Sequence, residues 1–368
     1  MDDPFRPNTS RSAFVRTLGG IAIGGSLFSA LRVPGLAAPQ SLKGTGQVTV
    51  SDPGGPFTKA WGEAYFAPFQ QASGIKAIQV AREHEPVGLI KSQVESKAYQ
   101  WDACGGLTLQ AYKQLSEAGL LEKIRYNDFP FAPHSQMIAD SVHDTWMGTD
   151  VFAVTLAYRT DKFPKSAPRT WADLWDIKKF PGRRALQKSA INTLEVALLA
   201  DGVDPKRLYP LDVDRAFRKL DQIKKDVTLW WTAGAQTTQG LQSGEIDIAA
   251  TYNARAQLAA DSGAPVAISW ERGIYTIEGL AILKGAPNTE NAMRFIAFAS
   301  QAKAMAAWAK DLAYGPTNHE AYKFIDKAHA KLLPTYEGNI KHMSPTDYVY
   351  WSKNFESLTD KFNTWLAS

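Results

Sequence analysis

The stretch GIYTIEGLAILKGAPN, residues 273–288, is β-branched and apolar like a sheet strand, yet it carries one carboxylate, Glu278, in its middle. Burying even a neutral polar group without a partner costs roughly 2–7 kcal/mol, and an unpaired charge costs more. Glu278 therefore lies on a solvated edge, pairs with an arginine or lysine of the chain, or meets a cation that arrives from outside. Which of the three holds depends on what surrounds this strand.

Strands and helices alternate along the chain before this stretch. Strand-like runs such as QVTVS (residues 47–51) and VTLWW (residues 227–231) are each followed by a helix-like segment, which predicts parallel sheets with crossover helices. The composition changes after residues 144–160, and the chain of 368 residues exceeds one typical core of about 100–200 residues. We therefore predict an α/β protein of two lobes, each a mostly parallel sheet flanked by helices, with a ligand cleft between the lobes.

The predicted lobe boundaries follow from where the chain passes from one unit to the other. Lobe 1 comprises residues 45–152 and 277–318, and lobe 2 comprises residues 153–276 and 319–368. The predicted hinges lie near residues 151–158, 273–277 and 314–318. One long helix is predicted from Thr289 to about Asp311.

Composition excludes several classes of function. The net charge is only +4 and no lysine/arginine run exceeds two residues, which argues against nucleic-acid binding. A single cysteine, Cys104, and six scattered histidines without an HExxH motif argue against disulfides and against a zinc site. We predict neither a metal nor another cofactor. No Ser/His/Asp grouping or G-x-S-x-G motif is present.

The first 38 residues are predicted to be an export signal. Three arginines precede LGGIAIGGSLFSAL (residues 18–31), an apolar run shorter than the roughly 18–20 residues that span a bilayer. Small residues follow, which predicts cleavage near Ala37 or Ala38 and a periplasmic mature protein. The segment SRSAFVR (residues 10–16) is similar to a twin-arginine motif, but Ser12 stands where the second arginine is expected.

Candidate ligand residues follow the strands, because ligands of open parallel sheets sit beyond the carboxyl ends of the strands. Each candidate also has a structural interpretation: Glu278 can form an internal salt bridge, Tyr252 a core or hinge hydrogen bond, and Cys104 a small buried contact. The strand-end candidates, with the first loop included, are Asp52, Phe57, Cys104, Gly105, Trp231, Thr232, Tyr252, Asn253 and Glu278.

Three motifs in one order carry a resemblance to a known family. They are TWADLWDIKKFPGR (residues 170–183), LQSGEIDIAATYNARAQLAADSG (residues 241–263) and IEGLAILKGAPNTENAMRFIAFA (residues 277–299). The chain from about Gln47 to its end resembles extracellular solute-binding proteins of the spermidine/putrescine type. That resemblance implies a two-lobed periplasmic-binding-protein fold and an ABC importer with permease and ATPase subunits as partners.

The resemblance also implies roles for individual residues. Glu278 occupies the place of an acidic residue that grips a ligand ammonium group, and Tyr252 with Asn253 matches the family's aromatic–Asn pair. A second aromatic of the family corresponds to Thr276, so Tyr275 next to it is the candidate ring. Asn192, with Ser189 one turn earlier, stands where polyamine receptors have a further carboxylate. Without that carboxylate, the binding free energy of a diamine is weaker by about 1.5–3 kcal/mol.

A helix N-terminus with Ser189 and Asn192 and no acidic residue is suited to an anion. We therefore predict a ligand with one cationic amine against Glu278 and a carboxylate or other polar end near Ser189 and Asn192, as in γ-aminobutyrate-like or betaine-like compounds; a polyamine is the alternative. The predicted protein is a monomeric receptor that closes on its ligand without catalysis. A sensor feeding a chemoreceptor and an exported hydrolase are the other functions considered.

Overall fold

The computed structural model describes residues 41–82 and 85–368. The predicted export signal, its incomplete twin-arginine motif and its cleavage site near Ala37 or Ala38 lie outside the described residues. No helix in the described part of the chain is long and apolar enough to cross a membrane.

Eleven strands of the described chain form one mixed sheet. Their bounds are β1 (Gln47–Asp52), β2 (Lys76–Ala81), β3 (Ala103–Thr108), β4 (Val142–His143), β5 (Trp146–Arg159), β6 (Arg184–Gln187), β7 (Val227–Trp231), β8 (Ile248–Tyr252), β9 (Val266–Ile282), β10 (Gly315–Pro316) and β11 (Ser344–Pro345). Eight of them run in the order β2-β1-β3-β9-β5-β8-β6-β7, while β4 and β10 pair with β5 and β11 pairs with β9.

Parallel strands stand at both ends of this sheet and antiparallel strands in its middle. β1 pairs in parallel with β2 and β3, and β6 pairs in parallel with β7 and β8. Residues 273–282 form the second half of β9. This strand runs antiparallel to β5, with Met147 opposite Leu280 at one end and Arg159 opposite Val266 at the other. Gly279 permits this pairing, because a Cβ there would lie 2.2 Å from the Met147 carbonyl oxygen.

The helices lie between these strands in the alternation that the sequence predicts, which confirms the α/β class. Their bounds are α1 (Pro56–Trp61), α2 (Ala67–Ser73), α3 (Val87–Ser96), α4 (Leu109–Glu117), α5 (Trp171–Trp175), α6 (Ala190–Ala200), α7 (Val213–Asp221), α8 (Gly234–Ser243), α9 (Asn253–Asp261), α10 (Thr289–Ala299), α11 (Ala302–Asp311), α12 (Lys327–Ala330), α13 (Glu337–Ile340) and α14 (Tyr348–Ala367). A π-helical turn, Gly62–Phe66, joins α1 to α2.

The prediction of one long helix from Thr289 to Asp311 is wrong, because the chain forms α10 and α11 with a break at Ser300 and Gln301. Both residues at the break bind a distant segment. The Ser300 hydroxyl accepts a hydrogen bond from the Ala132 amide (2.8 Å), and the Gln301 side-chain amide donates to the Pro130 carbonyl (2.6 Å). These long-range contacts leave no local sign such as glycine or proline in the sequence.

The buried side chains fall into separate clusters. The first draws on residues 48–151 and 277–333, together with Ala254. The second and third draw on residues 154–274 and 351–362. Ala321 and Leu333 pack in the first cluster, although the predicted lobe 2 includes them. The exact lobe boundaries stay a prediction.

Candidate functional site

A cleft of about 990 Å³ opens beside the β5/β9 pair. The start of α4, the middle of β9 and the start of α14 supply parts of its wall. Two side chains fix these helix starts: the Thr108 hydroxyl accepts from the Ala111 amide (3.3 Å), and Asp347 accepts from the Tyr350 amide (2.8 Å). Such N-caps satisfy amides that have no partner within the helix, and they hold Thr108, Asp347 and Tyr348 in the cleft wall.

The wall of the cleft is acidic. Four carboxylates line it, those of Glu85, Asp140, Asp347 and Glu356, whereas Lys206 is the one cationic side chain among the described lining residues. Walls of one charge sign concentrate ligands of the opposite sign. This cleft therefore favours a ligand that carries at least one positive charge.

Three of the predicted site residues, Asn192, Tyr252 and Tyr275, lie together in the cleft wall. The Tyr252 hydroxyl accepts a hydrogen bond from Gln187 Nε2 (2.9 Å), and Asn192 Nδ2 donates to Gln187 Oε1 (3.3 Å). Asn192 has positive φ (70°, with ψ −41°) inside α6. Its buried Oδ1 has no hydrogen-bond partner among the described residues.

Glu278 and Asp150 are not among the residues that line the cleft, although Thr276 and Ile277, which precede Glu278 on β9, do line it. In the sheet Glu278 stands opposite Asp150 of β5 on one side and Thr108 of β3 on the other. Residues opposite each other in a sheet point to the same face, so two carboxyl groups share this face. Oε2 of Glu278 and Oδ2 of Asp150 are buried, and neither has a hydrogen-bond partner within the described chain.

Burial is the main cause that raises the pKa of Glu278 well above its ordinary value, and repulsion from Asp150 and Glu85 adds to the effect. Arg82 acts in the opposite direction, but its guanidinium also donates to the carbonyl oxygens of Gly105 (2.9 Å) and Gly106 (2.8 Å). Burial likewise raises the pKa of Asp150 to about 7. Despite Arg82, the pKa of both carboxyl groups stays raised, so a further positive charge beside them is favourable.

An aromatic cluster backs the carboxyl pair. Phe152, which lines the cleft, makes an edge contact with Tyr252 (centroids 5.2 Å apart) and another with Tyr314 (6.1 Å). Tyr314 in turn stacks on Trp308 (5.7 Å), and the predicted site residue Phe57 packs against both rings. Because these rings exclude water, they strengthen any charge interaction made beside them.

Three predicted residues from the first strands are buried behind the cleft and do not line it. Asp52 accepts from the Gly54 amide and the Thr58 hydroxyl (both 2.7 Å) and so closes the first loop. Cys104 is fully buried, and its burial raises the thiol pKa. Gly105 gives room to the indole of Trp61, since a Cβ at Gly105 would lie 2.1 Å from a ring carbon.

Three further predicted residues lie beside the cleft. Trp231 is buried, donates to the Ala250 carbonyl (3.0 Å) and packs edge-on against Tyr252 (5.1 Å). Thr232 is exposed and binds Gln236 Oε1 at the start of α8. Ser189 precedes α6 and makes no side-chain capping bond. Trp231 thus supports the ring of Tyr252.

Asn253 is fully buried and ties together two of the segments predicted to be hinges. Its Oδ1 accepts from the Ala153 amide of β5 (2.9 Å), and its Nδ2 donates to the Ala313 carbonyl (2.5 Å). Both partners are backbone groups that have to find a hydrogen bond when buried. The amide of Asn253 is therefore fully occupied within the chain.

Replacing Asn253 by alanine is expected to destabilise the ligand-free protein by about 1–3 kcal/mol, since two buried backbone groups lose their partner. Thermal unfolding followed by circular dichroism measures the effect. Thr232→Ala, at an exposed position next to the same cleft, is the control and is expected to unfold within about 1 °C of the parent. Equal melting temperatures for the Asn253→Ala variant and the parent would contradict the role in linking the segments.

Several residues of the site carry no sequence signal. Glu195 of α6 is buried, and its Oε1 accepts from Tyr209 (2.7 Å), which lines the cleft, and from Trp351 of α14 (2.5 Å). Burial raises the pKa of Glu195 to about 7. Asp150 and Tyr314 are not at the carboxyl end of a parallel strand, and Gln187, which does end β6, was not among the predicted residues. The described residues contain no group of three or more histidine, cysteine, aspartate or glutamate side chains that could hold a metal ion.

The chain is similar to known proteins of one family. The sequence profile of a family described as bacterial extracellular solute-binding protein matches residues 64–335. A γ-aminobutyric acid-binding protein of Pseudomonas aeruginosa is 34% identical over 93% of this chain and 97% of its own length. A spermidine/putrescine-binding periplasmic protein of Escherichia coli is 26% identical over 44% of this chain and 46% of its own length. The crystal structure of an ABC transporter substrate-binding protein from Bradyrhizobium japonicum superposes with a TM-score of 0.80 at 36% identity, covering 87% of this chain and 99% of that one.

Proposed function

Since this chain belongs to the family of bacterial extracellular solute-binding proteins, we propose that its cleft binds an ω-amino acid of the γ-aminobutyrate type. The family and the two-lobed α/β fold that the sequence motifs predict are both confirmed. So is the function of a substrate-binding receptor for an ABC importer, which operates outside the cytoplasm.

The buried carboxyl pair of Glu278 and Asp150 carries this proposal. Both groups keep an oxygen that has no partner in the described chain, and such groups are costly unless something neutralises them. A ligand ammonium group supplies both a positive charge and three hydrogen-bond donors. The rings of Tyr252 and Phe152 contact each other in the cleft wall, and Glu278 is close enough to raise the pKa of Tyr252, so these rings suit the part of the ligand beside the ammonium group.

The opposite end of the ligand requires a hydrogen-bond donor or a positive charge, and the cleft offers both. Tyr252 retains its phenolic proton, because burial is the main factor that raises its pKa to about 12. Lys206 supplies the positive charge in the lining. We assign the ligand carboxylate to these two groups, with Asn192 Oδ1 available to accept an N–H. Similarity to a γ-aminobutyric acid-binding protein over nearly the whole chain supports this assignment.

A diamine is the second candidate, and the acidic excess in the cleft wall favours it. The start of α6 argues against it, because Asn192 offers a neutral amide where a second ammonium group needs a carboxylate. The one carboxylate of that helix, Glu195, has its Oε1 bound by Tyr209 and Trp351, while its buried Oε2 has no partner in the described chain. These contacts support one strong ammonium site at Glu278 and Asp150, with a weaker second one at Glu195.

The proposed mechanism is closure of two lobes on the ligand without catalysis. The division of the core into clusters supports the proposed lobes, with the last crossing between Leu333 and Trp351. We propose hinges near residues 151–158 and 273–277, and a third between Leu333 and Trp351 in place of the predicted one near residues 314–318. A ligand that contacts both lobes shifts the population toward the closed form. We propose that the protein acts as a monomer and presents this form to permease and ATPase subunits, or alternatively to a chemoreceptor.

Isothermal titration of the exported protein with γ-aminobutyrate, 5-aminovalerate, glycine betaine, putrescine and spermidine tests the proposal. We expect the ω-amino acids to bind more tightly than the diamine and the polyamine. Binding of putrescine alone would contradict the ω-amino acid assignment. Proton NMR of each ligand after prolonged incubation tests the absence of catalysis, and the ligand is expected to remain unchanged.

A further inference from the structure

Gln187 connects two residues of the cleft wall from behind. It is the last residue of β6 and is half-buried. Its carboxamide reaches Tyr252 through Nε2 (2.9 Å) and Asn192 through Oε1 (3.3 Å). Its backbone carbonyl accepts a hydrogen bond from the Thr193 hydroxyl (3.0 Å). This bond stabilises the turn that contains Asn192.

The direction of these two hydrogen bonds decides what the cleft presents. A carboxamide donates through nitrogen and accepts through oxygen only. Because Nε2 of Gln187 donates to the phenolic oxygen, the hydroxyl proton of Tyr252 is not used by Gln187 and can point at a ligand. Because Asn192 donates one N–H to Gln187, its amide is held with Oδ1 as an acceptor that has no partner in the described chain.

We propose that Gln187 is a specificity-determining positioning residue, which turns the Tyr252 hydroxyl into a donor for a ligand carboxylate and thereby favours ω-amino acids over diamines. This inference rests on the proposed function and deepens it. A carboxylate accepts a hydrogen bond from a phenol, whereas an ammonium group in the same place has only protons to offer. The discrimination therefore resides in the orientation of one proton, which a residue outside the cleft wall controls.

Gln187→Glu reverses this orientation while keeping the shape of the side chain. A carboxylate has acceptors only, so the Tyr252 hydroxyl turns inward to donate to it, and a negative charge is added next to the ligand. We expect the dissociation constant for γ-aminobutyrate to rise about 10- to 100-fold, the loss of one charge-assisted hydrogen bond. Putrescine binding is expected to stay equal or to tighten.

Two further variants separate proton orientation from general damage. Tyr252→Phe removes the donor. It therefore weakens the binding of γ-aminobutyrate to a similar extent, but the affinity for putrescine does not increase. Gln187→Met is nearly isosteric and breaks both hydrogen bonds without adding charge, so its losses for the two ligands stay within about threefold of each other. Thermal unfolding of each variant shows whether it is folded before its affinities are compared.

The deciding measurement is the ratio of the two dissociation constants, obtained by calorimetry at pH 7.5. A shift of that ratio toward putrescine in Gln187→Glu, with no such shift in Gln187→Met, supports the inference. Equal weakening of both ligands in Gln187→Glu overturns it, while the proposed function stands on the parent protein's binding of γ-aminobutyrate. If the parent binds neither ligand, the proposed function fails and the inference fails with it.

If Gln187→Glu does not fold, the double-mutant cycle of Gln187→Met and Tyr252→Phe decides. A coupling free energy in the binding of γ-aminobutyrate alone supports the inference, and the absence of coupling overturns it.

Discussion

Replacing Glu278 by glutamine is expected to weaken binding of γ-aminobutyrate at least about 30-fold, while the ligand-free protein becomes no less stable. The loss follows from breaking a buried charge pair between Glu278 and the ligand ammonium group, which costs roughly 2–5 kcal/mol. Glutamine keeps the size of the side chain and one acceptor oxygen, so the change isolates the charge. Isothermal titration at pH 7.5 measures the effect.

The expected stability of the Glu278→Gln variant distinguishes a ligand-binding role from a structural one. In the folded protein Glu278 is half-buried opposite Asp150, with its Oε2 out of contact with water, and the loss of hydration and the repulsion from Asp150 both raise its pKa. A group whose pKa is raised by folding destabilises the folded state once the pH exceeds its unfolded value, near 4.3 for glutamate. The neutral amide removes that cost, so the melting temperature at pH 7.5 is expected to stay equal or to rise.

Glu356→Gln is the matched control for this experiment. Glu356 lines the same cleft at an exposed position, where water screens its charge. We expect less than a threefold change in affinity, and that change shrinks as salt is added. A Glu278→Gln variant that binds like Glu356→Gln would contradict the assignment of the ammonium group to Glu278.

The strand pattern made a good part of this site predictable. Tyr252 ends a parallel strand, and ends of this kind gather at one edge of a sheet. The sequence also shows that Glu278 interrupts an otherwise apolar strand, which a cation partner explains. The paired position of Asp150 was not predictable, because the register of β5 against β9 depends on contacts along the whole of both strands.

The roles of other residues, predicted or not, depend on contacts that no local pattern reveals. Asn253 has the same strand-end position as Tyr252, yet its amide binds two backbone groups from distant segments. Gln187 ends the short strand β6 and is proposed to act through Tyr252. The wall formed by Asp347 and Tyr348 depends on where the last helix returns to the cleft. Sequence position therefore indicates which residues approach the cleft, while their hydrogen bonds decide which of them face it.

Affinity for an ω-amino acid is expected to rise with pH between about 5.5 and 8, by up to about tenfold per pH unit for each proton released. Neither end of such a ligand titrates in this range, since an alkylammonium loses its proton near pH 10 and a carboxylate gains one near pH 4. The protein does titrate, because burial raises the pKa of Asp150 to about 7 and that of Glu278 well above its ordinary value. An ammonium group binds the charged carboxylates, so at low pH binding has to expel their protons.

Calorimetry at pH 7 in phosphate and in Tris measures the protons released on binding, because the two buffers differ in ionisation enthalpy.

The stability of the ligand-free protein is an independent test of the same two carboxyl groups. Both carboxyls have a raised pKa in the folded state, so their favourable contribution is complete below the unfolded values near 4 and is lost as the pH rises through the folded values. The melting temperature of the ligand-free protein, compared with that of Glu278→Gln, should therefore fall over the pH range in which affinity rises. Affinity that stays constant from pH 6 to 8 would contradict a ligand site built on this carboxyl pair, and opposite trends in affinity and stability identify the pair as the place where the positive charge is received.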